Sequence, residues 1–394
     1  MDHMRTAVRA IAAALAVPLL LPLAGVEAAV AAPAPPGAAA PRSAPAGLPR
    51  PTGPHPVGRD TLHLVDENRQ DPWAPEAGAR QLMLSLYYPA RPGTGGPTPY
   101  LTSEEARLLL QDTPGAANAE RLTTLHTWAR TGARPAPGRY PLILLSPGFG
   151  LPRATLTGLA EELGSRGYVV AAIDHAYEAA GITLPDGRTL PCAICDDPLH
   201  KSPLVTAGRA TDVSFVLDRL TGRHPAWRYA ALIDPRRTAM AGHSIGGAAT
   251  ATAMAADPRI RAGADLDGTF VPSITPGGLD GRPFLMLGEE GGVNDPTWRE
   301  SWAALDDWKR WVRVAGSDHG SFCDEPVLLA RAGMPQSADL SPTRAEEITR
   351  AYVAAFFDLH LKGVRQPLLD RPSPAYPEVT VQRPDRRPSP RVPA

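Results

Sequence analysis

Ser244 sits in Gly242-His243-Ser244-Ile245-Gly246, a Gly-x-Ser-x-Gly run between a short apolar strand candidate at residues 238–241 and an Ala-rich helix candidate. That context fits a cramped strand-to-helix elbow that lifts a serine hydroxyl into the open above a sheet. Glycines on both sides let neighbouring backbone pass without a Cβ in the way. A serine hydroxyl is a weak nucleophile and needs a base to take its proton. An imidazole in that role needs a carboxylate to orient it and to stabilise the cation that forms.

The sequence offers partners in the order serine, acid, histidine. After Ser244 the histidines are His319 and His360. His360 falls inside the last helical pattern, where a place on the helix surface is expected. His319 lies in Ala315-Gly316-Ser317-Asp318-His319-Gly320, a Gly-flanked loop just past a strand candidate ending at Val314, and is the base candidate. Asp265, Asp267, Asp280, Asp295, Asp306 and Asp307 lie between. Asp267 is preferred as the acid because it ends a strand candidate beside the turn residue Gly268. Asp265 is expected deeper in the same strand, and Asp295 on the following loop is the reserve. Acyl transfer also creates an oxyanion that two backbone N–H groups must receive. Ile245, at a helix start, should supply one, because first-turn N–H groups have no helical acceptor. Phe149, in the loop Ser146-Pro147-Gly148-Phe149-Gly150, should supply the other. His243 is expected to pack or hydrogen-bond beneath the turn. His175, after the strand candidate ending Ile173-Asp174, is expected to line the pocket or cap its loop.

Residues 142–145, 168–173, 238–241, 284–287 and 311–314 are short apolar runs without polar alternation, as strands buried on both faces read. Residues 61–65 and 81–88 suggest an antiparallel start to the sheet. A helix should begin at Ser202-Pro203, carry Val205, Ala210, Val213, Val216, Leu217 and Leu220 at helical spacing, and stop at Gly222. Another should run from Ser341-Pro342 to about Leu361 and end at Gly363. Alternating strands and helices predict an α/β fold with one mostly parallel sheet. Residues 100–134 and 175–200 fit the alternation poorly. Both are candidate cap or pocket-wall segments, with simple core cover as the other reading for 100–134.

The 394 residues carry 40 Lys and Arg against 41 Asp and Glu, a formal net charge of −1. Neither sign runs in blocks, which gives nucleic acid no support. Arg5 and Arg9, an apolar stretch at 10–23, and Ala29-Val30-Ala31 read as a signal peptide over 1–31. The Pro/Ala-rich residues 32–56 read as a flexible or extended linker, 57–382 as the catalytic domain, and 383–394 as a disordered tail. Of the three cysteines, Cys192, Cys195 and Cys323, outside the cell one pair could close a disulfide and leave one thiol. Cys192-Ala193-Ile194-Cys195 reads as a loop staple or as inert cysteines, since zinc would need two further ligands. No metal and no cofactor is expected.

With these pieces placed, the chain resembles the platelet-activating-factor acetylhydrolase family, in its secreted monomeric branch of the α/β-hydrolases. The likeness runs through residues 145–150, 167–175 and 242–247, then Asp267-Gly268 and the His319 loop. It covers roughly residues 57–382. The resemblance implies an α/β-hydrolase fold, Ser244 as nucleophile, Asp267 as acid, His319 as base, and Phe149 and Ile245 as oxyanion donors. It implies a secreted monomer that hydrolyses short-acyl phospholipids or related small esters, with contact to a lipid surface. Pro147 departs from the family's pattern, where a histidine is usual; secreted lipases and polyester hydrolases share this loop style. A broad lipase or polyester hydrolase is therefore the alternative, and a hydrolase-fold binding protein without turnover is a further one.

Overall fold

The computed structural model describes residues 47–198 and 202–384. The expected signal peptide and most of the expected tail lie outside the described residues. The centre is an eleven-stranded sheet among those residues, in the order β13-β12-β11-β10-β9-β5-β6-β2-β1-β4-β3. Its members are β1 (Val57–Gln70), β2 (Ala79–Pro89), β3 (Gly96–Pro97), β4 (Arg130–Thr131), β5 (Tyr140–Ser146), β6 (Val169–His175), β9 (Ile233–His243), β10 (Ile260–Leu266), β11 (Phe284–Glu289), β12 (Lys309–Val314) and β13 (Val379–Gln382). A separate hairpin pairs β7 (Gly181–Thr183) with β8 (Thr189–Pro191). The stretch β6-β5-β9-β10-β11-β12 is parallel throughout. β1 and β2 run antiparallel, and β2 joins β6 antiparallel, as the alternating start of the chain predicts.

The parallel strands are apolar on both faces because helices cover both. Side chains alternate across a strand, so Ile143 and Leu145 enter one core and Leu142 and Leu144 the other. The first core packs against the helices Thr157–Ser165 and Pro342–Lys362, the second against Pro203–Thr221 and Ile245–Ala256. The final helix is capped by Ser341, which accepts from the Arg344 N–H, and ends at Gly363 with φ of 70°. Gly222 also ends its helix, but in an extended conformation rather than the left-handed one. His360 packs its ring against Trp308 and Phe356 and is pushed down to about 4 by burial and by Arg310. It has no route to Ser244.

One expectation changes, and one open choice is decided. Residues 47–56 are not a loose linker in this structure. Pro49 and Arg50 give their carbonyls to Arg350 at 2.7 and 2.8 Å, and the Thr52 and Gly53 N–H groups donate to Glu162 and Ser165 at 2.8 and 3.0 Å. Proline-rich backbone lacks donors but keeps every acceptor, and a buried arginine uses them. Residues 100–134 cover core: Tyr100, Leu109, Leu110, Leu122 and Leu125 are buried in the first cluster. Starting the chain at Val57 rather than Ala32 strips two acceptors from Arg350. Urea unfolding should then show a loss of about 3 kcal/mol or more; an unchanged midpoint would mean that the segment holds nothing.

Candidate active site

β9 ends at His243 and the helix Ile245–Ala256 begins two residues later, so Ser244 makes the whole turn alone. Its φ of 57° is strained for a residue with a Cβ. The turn leaves no room at its flanks: a Cβ on Gly242 would lie 2.2 Å from the Gly246 backbone, and one on Gly246 2.1 Å from the Ser146 carbonyl oxygen. The elbow therefore seats directly on the loop that follows β5.

Three loops at the carboxyl ends of neighbouring parallel strands meet here. His319 Nε2 lies 2.9 Å from Ser244 Oγ, and His319 Nδ1 lies 2.7 Å from Asp267 Oδ2. In the neutral ring Nδ1–H donates to the carboxylate and Nε2 accepts from the serine hydroxyl. Asp267, which also has positive φ, takes a 2.8 Å bond from the Glu289 N–H on its other oxygen. Burial disfavours the charged His319 ring. The Asp267 hydrogen bond and charge, with Glu325 and Glu289 behind, outweigh burial and raise its pKa above the usual 6.5. His243 lies beside it, its Nε2–H donating to the His319 carbonyl at 2.8 Å. That bond fixes the backbone of the loop that carries the base, a role finer than packing beneath the turn.

The other acids separate cleanly. Asp265 is fully buried and bonds the Gly268 N–H, and burial together with the Asp267 charge pushes its pKa far up. A Cβ on Gly247 would touch its oxygen, so it is a neutral prop beneath the elbow. Asp295 caps the helix Pro296–Ala304 by accepting from Thr297. Ile245 is the first residue of its helix, 8% exposed, and Phe149 lies in the loop after β5, packed against the same apolar cluster.

A second Ser-His-Asp set lies beneath that loop. Ser146 Oγ is 3.0 Å from His175 Nε2, and His175 Nδ1 is 2.7 Å from Asp212 Oδ2. All three are buried, and Arg209 donates to Ser146 Oγ and to the Pro147 carbonyl. Burial and the Arg209 charge lower the His175 pKa, so the ring stays neutral. With no access and its lone pair occupied, Ser146 cannot attack a substrate. Arg209 also donates to Glu178 at 2.8 Å, and Glu178 accepts from Trp73 Nε1 and from Arg80. The set is a buried scaffold under the loop that bears Phe149. Sequence reasoning missed Arg209 and Asp212. Their one signal was position, since both share the helical face of Val205, Val213 and Val216.

Cys192 and Cys195 are joined to each other, as the loop-staple reading expects, and Cys323 is free and buried. No described helix is long and apolar enough to cross a membrane.

Comparison with known proteins shows what the chain is similar to. Residues 42–186 match the model of platelet-activating factor acetylhydrolase, isoform II. The chain is 27% identical to a probable 1-alkyl-2-acetylglycerophosphocholine esterase of Arthroderma benhamiae, over 84% of this chain and 92% of that one. The chain is similar to members of this acetylhydrolase family. It is 24% identical to the platelet-activating factor acetylhydrolase of Cavia porcellus, over 70% of this chain and 69% of the relative. A solved ferulic acid esterase from Streptomyces cinnamoneus is 43% identical with a TM-score of 0.77, covering 86% of this chain and all of that one. The fold is that of the α/β-hydrolases, and the chain is a carboxylic ester hydrolase. This removes the reading of a binding protein without turnover.

The acid limb of activity follows from His319. Only the neutral ring can accept a proton, and its pKa is raised, so kcat/KM should fall as pH drops through a value above 6.5. Asp267→Asn removes the raising influence and leaves burial, so the limb should move to lower pH and kcat should drop about 10⁴-fold. A limb that stays in place in that variant would remove Asp267 from the account.

Proposed function

We propose that the chain hydrolyses short-acyl esters, platelet-activating-factor-type phospholipids among them, through an acyl-enzyme on Ser244. The carrying observation is the single ring of His319 bridging Ser244 and Asp267 at 2.9 and 2.7 Å. Ser244 Oγ attacks the ester carbonyl carbon while His319 Nε2 takes the hydroxyl proton. The carbonyl π pair moves onto oxygen, which the N–H groups of Phe149 and Ile245 receive. The pair returns, the ester C–O bond breaks, and His319 passes its proton to the departing alcohol. Water then attacks the acyl-serine, giving its proton to His319. Collapse releases the carboxylic acid, and the proton returns to Ser244 Oγ. Asp267 stays ionised throughout and stabilises the imidazolium.

A second substrate reading has its own support. The 43% identical solved relative is a ferulic acid esterase, which favours an aryl-acrylate acyl group. Export is part of the proposal as well. A disulfide persists in oxidising compartments, and the Cys192–Cys195 link agrees with the charged and apolar start of the chain. Monomeric action, at a lipid surface for phospholipid substrates, completes the reading.

Ser244→Ala should leave the fold intact and abolish turnover of a chromogenic acetyl ester; sustained turnover would end the Ser244 assignment. With the intact chain, a series from acetyl-glycerophosphocholine through longer sn-2 acyl groups to methyl ferulate separates the substrate readings. The acetylhydrolase reading expects kcat/KM to fall with sn-2 chain length, and a flat series with ferulate preferred would overturn it.

A further inference from the structure

The apolar cluster beside the elbow is built from side chains that the proton transfers do not use. Ile194, Val205, Ile245 and Ala248 form a small core of their own, separate from the two large ones, with Trp73 and Phe149 packed against it and only partly buried. Ile245 follows the nucleophile, and Phe149 lies in the expected oxyanion loop.

That placement selects one part of an ester. In the tetrahedral intermediate the carbon carries four groups: Ser244 Oγ, the oxyanion, the leaving oxygen and the acyl chain. The leaving oxygen must lie within reach of His319 Nε2, which protonates it. The oxyanion faces the Phe149 and Ile245 N–H groups. The acyl chain is the remaining substituent, and the partly exposed apolar side chains packed with Ile245, next to the nucleophile, are those of Trp73 and Phe149. Resting on the acyl-enzyme reading above, we propose that Trp73 and Phe149, backed by Ile194, form the acyl-binding wall, and that the Cys192–Cys195 disulfide sets its specificity by holding Ile194 in place.

Ile194 sits in the loop that the disulfide closes. It lies between the two linked cysteines, outside any helix or strand, and is 6% exposed. The loop's backbone bonds include the Ala193 N–H to the Tyr177 carbonyl at 2.9 Å and the Asp197 N–H to the Ile194 carbonyl at 3.2 Å. Opening the ring returns freedom to these residues and lets the isoleucine leave the wall. Trp73 is held from the other side, its Nε1–H bonded to buried Glu178 at 2.9 Å. An apolar wall two aromatic rings wide accepts an uncharged alkyl or aryl acyl group and rejects a charged one, whose desolvation it cannot offset.

The test compares 4-nitrophenyl acetate with 4-nitrophenyl butyrate on the full chain, since the acetyl methyl is too short to span the wall and the butyryl chain is not. Ile194→Ala should lower the butyrate-to-acetate ratio of kcat/KM by about fivefold or more. Cys192→Ser with Cys195→Ser, and mild dithiothreitol on the parent chain, should move the ratio the same way. The reductant arm needs no refolded variant, and Cys323 is buried away from it. A ratio unchanged in all arms, or acetate falling as far as butyrate, overturns the proposal. So does a change that follows the leaving alcohol when methyl and 4-nitrophenyl butyrate are compared. Ser244→Ala, which abolishes both esters, distinguishes failure of the underlying acyl-enzyme reading from failure of the wall.

Discussion

His319 touches Ser244 with one ring nitrogen and Asp267 with the other, across 75 and 52 positions of sequence. Neither contact exists until the sheet has formed, because each residue sits on a loop after a different parallel strand. The ring must be held in both directions at once to a few tenths of an ångström. The surrounding structure reads as the means of doing so. His243 grips the backbone of the His319 loop, the Glu289 N–H steadies Asp267, and neutral Asp265 props the elbow from below.

The constraint extends to the loop after β5. The elbow presses so closely on Ser146 that Gly246 cannot carry a side chain, and the loop is tied down in turn by a buried polar scaffold. Two arginines and two carboxylates share that scaffold with a neutral histidine and a serine. Burial opposes ionisation of Asp212, yet Arg80 and His175 outweigh it and hold the carboxylate well below its ordinary range. Breaking one member of such a set leaves the others charged and unpaired, at a cost of several kcal/mol. A scaffold of this kind keeps the Phe149 loop in place and holds Trp73 through Glu178.

Much of this was legible in the residues. Strands buried on both faces appear as uninterrupted apolar runs, and five such runs are five members of the parallel sheet. The elbow was readable because its glycines are required by backbone contact rather than preferred. The Asp267–His319 pair followed from the rule that catalytic loops cap the carboxyl ends of strands. The scaffold was not legible, because Ser146, His175, Arg209 and Asp212 come from three separate segments and gain meaning only together. Residues 47–56 misled for a related reason. Proline-rich composition describes what a segment lacks, whereas Arg350, some three hundred residues away, uses the carbonyls it retains.

The central claim is that an acyl group passes through the Ser244 oxygen once His319 has taken its proton. Acid-quenching the enzyme during turnover of a slowly released aryl ester, then mapping peptides by mass spectrometry, reads this directly. The account predicts the acyl mass on the peptide containing Ser244 in the parent chain, and its absence from His319→Ala under the same conditions. An acyl mass on another residue, or steady turnover that never loads Ser244, would contradict it.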